Sequence, residues 1–577
     1  MKLTFLRVSR FFLSLSFLCI LSSVEAQSGA KGNLKYALPV DGPVTLAGSY
    51  AELRANHFHG GWDFRTGGKE NQPIYAAADG YVSHIVISPA GYGKMAIVAH
   101  PDGTSTIYGH LNGFVGELDS TVRKEQYRQK RYDVSLSFQP SQFPVKVGQH
   151  FAISGNTGGS AGPHLHFEIR RTSDLLMMNP YLHNDVFGIK DDKKPTLFGI
   201  KLSAVPQQGA VAGLAEKKFA CNAGKATTLR SGASIKAWGK LNVAVKANDK
   251  MNDTWFKYGI RDYKLYFCDT LISQVHISDF LFDDKRGINS LIDFKQMAKT
   301  KEFFVKFSKE PGNPLKMHSH LKNNGVITIN QEGKEYPVRI VLEDDFANRD
   351  TFDFKLVGQK QGFASPDSNV TCVLKQGKLN SFSRPNILIN FPPDVLYTDV
   401  PLKFSCDTLK KFFTPAYDFD TEFVPLHANY DFALRLENDT LKDKSKYLVV
   451  RLNEKNLITG HIKAKYFNGY MMGQSNYLSR MSVYFDSTPP VITPLNVQNL
   501  RKNPVMTLRI KDNLAGIESY NAYIDGKWVL MEFDMKTARL ICDLRKVSIA
   551  QNTSHSLKVE VADACGNVGV YETKIYF

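Results

Sequence analysis

After residue 26 the sequence holds no run long and apolar enough to cross a bilayer, which takes about 20 residues. It has no zinc-finger spacing, no aromatic-basic RNA motif and no block of like charge, so its net charge of +16 does not point to nucleic acid. Cysteine is sparse: there are seven, none between Cys19 and Cys221 and none in C-x-x-C spacing, which leaves them structural. There is no H-E-x-x-H and hence no glutamate base set between two helical zinc ligands. Helix is scarce from Leu38 to about Arg170, where Gly-containing turns separate short β-branched and aromatic runs.

Residues 1–26 read as an export signal. Lys2, Arg7 and Arg10 make a basic start, Phe11 to Leu21 an apolar stretch, and Val24-Glu25-Ala26 a small-residue exit, with cleavage expected after Ala26. Ser16-Phe17-Leu18-Cys19 lacks the small residue that a lipoprotein signal places before its cysteine. The mature chain is therefore expected to be exported, to a periplasm or to the cell envelope and beyond, without a transmembrane segment. Its basic balance suits acidic envelope polymers or lipid headgroups, and equally a plain solvated surface. Loss of Cys19 leaves an even number of cysteines, which permits disulfides.

A chain of 577 residues is too long for one core and implies roughly three to five domains. The texture divides it into a β-rich segment at 27–188 with a charged insertion at 115–144, a β-domain at 189–358, a third at 359–485 and a last at 486–577. The run Glu117 to Tyr132 has neither Gly nor Pro and reads as a short helix or lid-like insertion. An internal echo relates two of the later segments: Gly259-Ile260-Arg261-Asp262-Tyr263 matches Gly516-Ile517-Glu518-Ser519-Tyr520. Each copy follows a Pro-containing opening and precedes a closing pair of strands, and the first copy carries an insertion near 275–330. The second copy has the size of an immunoglobulin-like sandwich. The fold class expected is mainly β, with about three Ig-like β-sandwich domains after the N-terminal one.

Chemistry concentrates in that N-terminal segment. In Gly155 to Glu168, GNTGGSAGPHLHFE, strand periodicity places His164, His166 and Glu168 on one face and Leu165 and Phe167 on the other. About a hundred residues earlier, Asn56-His57-Phe58-His59-Gly60-Gly61-Trp62-Asp63 offers an imidazole and a carboxylate whose intervening glycines argue against a helix. His59, Asp63 and one histidine of the His164/His166 pair would make three ligands of the type zinc takes, with a position left for water. Tyr108-Gly109-His110-Leu111 adds a further histidine after a strand. Glu168 is either an acceptor orienting His166 or a surface carboxylate. His100 is expected to be structural, Tyr92 and Tyr108 core aromatics, and Arg54 and Asn56 are placed where a substrate carboxylate could be met.

HFHGGWDF, PIYAAADGYV, GYGKMAIVAHPDG, TIYGHL and GNTGGSAGPHLHFEI, in this order over about Pro39 to Arg170, resemble the lysostaphin and LytM type of zinc metallopeptidase (family 23, the duplicated hybrid motif), which cuts bacterial peptidoglycan. The resemblance implies a lysostaphin-type catalytic domain with Zn2+ held by His59, Asp63 and His166, and with His110 and His164 as non-ligand histidines beside the bound water. It implies an endopeptidase acting on peptidoglycan peptide stems. Envelope partners would be met through the C-terminal β-domains. The competing expectation is a non-catalytic wall-binding or amidase-activating scaffold, known among degenerate members of this fold. The connection after TIYGHL is long and charged here, and the insertion is expected to flank the groove and narrow access.

Overall fold

The protein is described by a computed structural model covering residues 36–222, 228–229, 234–365, 367–419 and 423–577; the export signal expected at 1–26 lies outside the described residues. The short apolar runs of the N-terminal segment become strands because tight turns separate them, such as the one at Gly91 and Gly93, both left-handed with φ of 58° and 66°. The strands that matter are β1 (Leu46–Gly48), β2 (Trp62–Arg65), β3 (Gly80–Ile87), β4 (Lys94–Ala99), β5 (Thr104–Leu111), β6 (Val134–Ser137) and β7 (His164–Arg171). They form one sheet in the order β1-β2-β7-β5-β4-β3-β6, with two short strands at its margins. A three-stranded sheet packs on it, with Phe151 edge-on to Tyr108 at 4.9 Å.

The glycine-free charged run is a helix, α1 (Glu117–Gln129), which turns Leu118, Val122 and Gln126 inward at i, i+4 and i+8. It also reaches the far end of the chain, where Tyr127 stands edge-on to Trp528 at 5.3 Å.

The second unit centres on β8 (Thr196–Val211), β9 (Ile235–Asn248), β10 (Asp262–Phe267), β11 (Glu335–Glu343) and β12 (Arg349–Gly358). These belong to one 11-stranded sheet, where a two-sheet sandwich is expected from the sequence. The reason is strand length: β8 and β9, of 16 and 14 residues, pair along almost their whole extent and bend at a register shift between Ala204 and Gly209. The next segment has two five-stranded sheets around one core that includes Phe391, Tyr430, Leu434 and Val449. The last has two four-stranded sheets, with β13 (Val505–Lys511) in one and β14 (Ile517–Ile524), β15 (Ser554–Asp563) and β16 (Val568–Tyr576) in the other. The echoed segments hold equivalent places: β10 pairs antiparallel with β11, and β14 with β15.

The N-terminal segment and the second unit share a single hydrophobic core, running from Tyr36 through Phe167 to Leu356. The Tyr50 hydroxyl donates to Met177 O at 3.1 Å, that of Tyr258 to Leu46 O at 2.9 Å, and Phe58 meets Phe280 at 5.3 Å. Cys268, Cys372, Cys406, Cys542 and Cys565 are free thiols, so the disulfides that an even count permits do not join them. They are scattered among separate layers; even Cys542 and Cys565, both in the last unit, belong to different apolar clusters.

His318 in the second unit's insertion has both ring nitrogens buried without hydrogen-bond partners. Burial, then the ammonium groups of Lys309 and Lys306, push its pKa down to about 4. The unfolded chain takes up this proton near the ordinary histidine value of ~6.5. The stabilisation is therefore complete above that value and lost as pH falls through about 4. A His318→Leu variant is expected to lose less thermal stability than the natural protein on acidification across this window. Equal losses in melting scans at stepped pH would contradict it.

Candidate functional site

The central strand β7 lies between β2 and β5, and its register decides the site. His166 stands opposite Asp63 on β2 and opposite Gly109 on β5. Alternation does the rest: Leu165, Phe167 and Ile169 are fully buried in the core, while His164, His166 and Glu168 share the other face. Gly61 lets β2 approach, since a Cβ there would lie 2.0 Å from Phe167 O. His110 follows Gly109 with a left-handed φ of 59°, unusual for a residue with a Cβ, and its ring comes to 4.8 Å from that of His164.

Three atoms converge. His59 Nε2 is 2.9 Å from Asp63 Oδ1 and 2.9 Å from His166 Nδ1, and His166 Nδ1 is 2.8 Å from Asp63 Oδ1. Their outer partners set the tautomers. His59 Nδ1–H donates to Ser49 O at 2.7 Å, leaving the lone pair on Nε2. His166 Nε2–H donates to Glu168 Oε1 at 2.8 Å, leaving the lone pair on Nδ1. Asp63 Oδ2 accepts from Arg54 Nη2 at 3.0 Å, which turns Oδ1 toward the two rings. Three ligand-type atoms thus meet, an arrangement that one shared cation, a proton or a metal ion, satisfies.

The electrostatics agree. Burial pushes His59 down to about 4 against the pull of Asp63. Burial acts downward on His166 too, but the hydrogen bonds and charges of Asp63 and Glu168 outweigh it and raise the ring to about 9. The pocket favours one positive charge and rejects a second. Asp63 is held well below the usual carboxylate range, its burial outweighed by the charge of His59 and by its contacts with the His164 and His166 rings.

The donor set, two imidazole nitrogens and one carboxylate oxygen, matches a catalytic zinc site. Zinc bonds of about 2.0–2.1 Å put tetrahedral ligands about 3.3 Å apart, so each atom would give way by a few tenths of an ångström.

His164 donates Nδ1–H to Gly162 O at 2.8 Å, and its Nε2 lies 3.3 Å from Asp63 Oδ1. His110 donates Nδ1–H to Thr157 O at 2.8 Å. Burial, then His166 and His164, push His110 down to about 3, so its ring stays neutral. All five polar residues singled out in the sequence therefore meet in one place.

The neighbours sort differently. Glu168 is fully buried, which removes the surface reading; it accepts from Tyr92 Oη at 2.7 Å and from Arg170 Nε at 2.6 Å as well as from His166. Arg54 is engaged with Asp63 rather than left open for a substrate carboxylate, and Asn56 accepts from Asn289 Nδ2 at 3.0 Å. His57 points away, to Ala55 O. His100 is structural, held by Asp79 O and Thr106 Oγ1. Tyr108 is a core aromatic that binds Ala77 N–H. Arg170 went unseen in the sequence, although the alternation of His164, His166 and Glu168 continues to it. The last unit also reaches the site's border: Lys536 Nζ binds the carbonyls of Asn156 and Ser160, and Lys94 pairs with Glu532 at 2.7 Å.

Comparison with known proteins places this geometry. The model of Peptidase family M23 matches residues 57–127, and that of a Zu5-like domain matches 371–486. Lipoprotein NlpD of Yersinia enterocolitica is 33% identical over 103 residues, covering 18% of this chain and 81% of that protein. The peptidoglycan DD-endopeptidase ShyB of Vibrio cholerae is 33% identical over 112 residues, 19% of this chain and 20% of its own. Murein hydrolase activator EnvC of Escherichia coli is 27% identical over 118 residues, 20% and 22% of the two chains. The chain spans about a fifth of the length of the first curated relatives it matches. The M23 match takes in His59, Asp63 and His110, and the likeness to NlpD spans most of that protein: this chain belongs to peptidase family M23.

Proposed function

We propose that the mature chain is an exported zinc metalloendopeptidase that hydrolyses peptide cross-links of peptidoglycan. One observation carries this reading: His59 Nε2, Asp63 Oδ1 and His166 Nδ1 converge within 2.9 Å of one another, beside two imidazoles whose Nδ1–H groups are anchored to backbone carbonyls. His59, Asp63 and His166 would hold the ion. Bound there, zinc supplies a Lewis acid that polarises the scissile carbonyl and acidifies water.

The other steps belong to the chain. With their Nδ1–H groups engaged, His164 and His110 each present an Nε2 lone pair, so together they accept the two hydrogens of one water and orient its oxygen. His164, nearest Asp63, takes the proton as the water attacks and hands it to the leaving amine. His110, driven down to about 3, stays the neutral acceptor. Glu168, held by Arg170 and Tyr92, keeps His166 in the tautomer that faces Asp63.

The scaffold reading draws on the likeness to a murein hydrolase activator. A scaffold has no need of the full constellation, and here no member is missing. The β-units after residue 188 are proposed to meet the envelope, with the last one also bordering the site through Lys536.

The experiment is to incubate mature protein with purified peptidoglycan, with and without a chelator, and to identify new termini by mass spectrometry. Chelator-sensitive release of cross-linked peptides is expected. Zinc-loaded protein that releases nothing from several wall chemotypes would establish the scaffold instead.

A further inference from the structure

Two sets of three aspartates stand apart from the site above: Asp191, Asp249 and Asp344 in the second unit, and Asp486, Asp512 and Asp563 in the last. In each set one carboxylate oxygen per residue lies within 4.8 Å of the others. The sets occupy matching places in the echoed units. Asp191 and Asp486 precede the first strand, Asp249 and Asp512 follow β9 and β13, and Asp344 and Asp563 sit at the ends of β11 and β15.

Their hydrogen bonds repeat too. Asp191 accepts from Lys193 N–H as Asp486 does from Thr488 N–H. Asp344 accepts from the N–H groups of Phe346 and Asn348 and from Asn348 Nδ2. Asp563 does the same with Cys565 and Asn567. Asn348 Nδ2 reaches on to Asp191 O, and Asn567 Nδ2 to Asp486 O.

The copies differ in what faces the charge. In the last unit Lys446 Nζ lies beside the set, 2.6 Å from Asn567 Oδ1, and the N–H groups of Leu514 and Gly516 cap Asp512 Oδ2, although Asp512 Oδ1 is left without a hydrogen bond. In the second unit, among the described residues, no lysine or arginine pairs with Asp191, Asp249 or Asp344. Asp249 is 1% exposed, and its Oδ1 accepts no hydrogen bond; Asp191 Oδ2 is likewise unpartnered. Asn252 leaves its own buried Oδ1 unmatched, as does Asn248 directly before Asp249. Buried carboxylates are paired or bound to metal, and this set has no side-chain cation to pair with.

We propose that Asp191, Asp249 and Asp344 bind a divalent cation of the calcium class. Every donor at hand is oxygen, with no imidazole or thiolate, which selects a hard cation. Calcium takes about six to eight oxygens in irregular geometry, where magnesium demands a near-ideal octahedron. The ion would tie the chain leaving the M23 segment, at Asp191, to two strand ends of the second unit. It would thereby stiffen the join beneath the catalytic sheet.

The test is calorimetric titration of the zinc-loaded full chain with calcium, alongside melting scans. The natural protein is expected to bind calcium and melt several degrees higher with it, and magnesium is expected to do less. Loss of an outer partner alone costs metal sites about 10–100-fold in affinity, so Asp249→Asn should weaken calcium binding by more than about tenfold. Asp512→Asn should leave the tight site intact. If Asp249→Asn fails a circular dichroism check of folding, Asp191→Asn, at a partly exposed position, carries the same expectation. No heat and no melting shift in the natural protein would overturn the proposal. So would unchanged affinity in the folded second-unit variants, or an equal shift with magnesium.

Discussion

Asp63→Ala protein is expected to lose bound zinc and peptidoglycan hydrolysis together, whereas His164→Ala is expected to keep most of the zinc and lose turnover. The contrast follows from position. Asp63 Oδ1 is the shared neighbour of both converging imidazoles, and without it two lone pairs face each other with no anion to offset a bound ion. His164 touches the cluster only at 3.3 Å, and its ring is anchored separately on Gly162 O. A positioned general base contributes about 10²–10⁴-fold, so His164→Ala should fall by that factor in kcat with near-stoichiometric metal. Metal analysis on the same preparations as the rate assay checks the split. A His164 variant that loses zinc along with activity would make it a ligand and undo the division of roles.

The second large effect is on stability. Arg170→Met is expected to destabilise the catalytic sheet by about 3–5 kcal/mol, the range for removing one partner of a buried ion pair. Glu168 is fully buried, and Arg170 is the guanidinium bonded to it, with the Lys285 ammonium acting on it from farther off. With the guanidinium gone, the carboxylate keeps its hydrogen bonds from Tyr92 and His166. The Arg170 guanidinium also stands over Phe282, 4.9 Å from its carbon to the ring centroid, and methionine's thioether can contact an aromatic ring without carrying a charge. Hydrogen exchange at the amides of Leu165 to Ile169 measures the local opening free energy. Glu168→Gln together with Arg170→Met should recover a good part of the loss, because no unpaired charge then remains. Protection unchanged in the single variant would show that the pair does not hold the strand.

Short-range order was legible. The i, i+2 alternation of β7 is a property of any extended strand, so the common face of His164, His166 and Glu168 and the buried face of Leu165 and Phe167 follow from spacing alone. The run Glu117 to Tyr132, readable as a short helix or a lid-like insertion, is a helix at Glu117–Gln129, consistent with its lack of Gly and Pro. What spacing does not carry is register between distant strands. That Asp63 lies opposite His166, about a hundred residues away, depends on the pairing of β2 with β7, and a slip of one residue would turn every ligand to the other face.

The partners of Glu168 show the same limit. A carboxylate two residues beyond a histidine reads equally as exposed or as an orienting acceptor, and only the closure of Tyr92 and Arg170 around it decides the matter. The sharing of one core by the N-terminal segment and the second unit was hidden because composition changes at the linker while packing does not. The aspartate sets were hidden too, since their members lie 58 to 153 residues apart in the second unit and meet only through strand ends.

By itself, then, the sequence determined the residue types of a candidate metal site, the strand that carries half of it and the β character of the chain, because these rest on local periodicity and side-chain chemistry. The tertiary structure decided which acceptors converge, which nitrogen of each imidazole faces inward and which carboxylates are left without a cation. Those depend on strand register and on what closes over each group, and no local spacing encodes either.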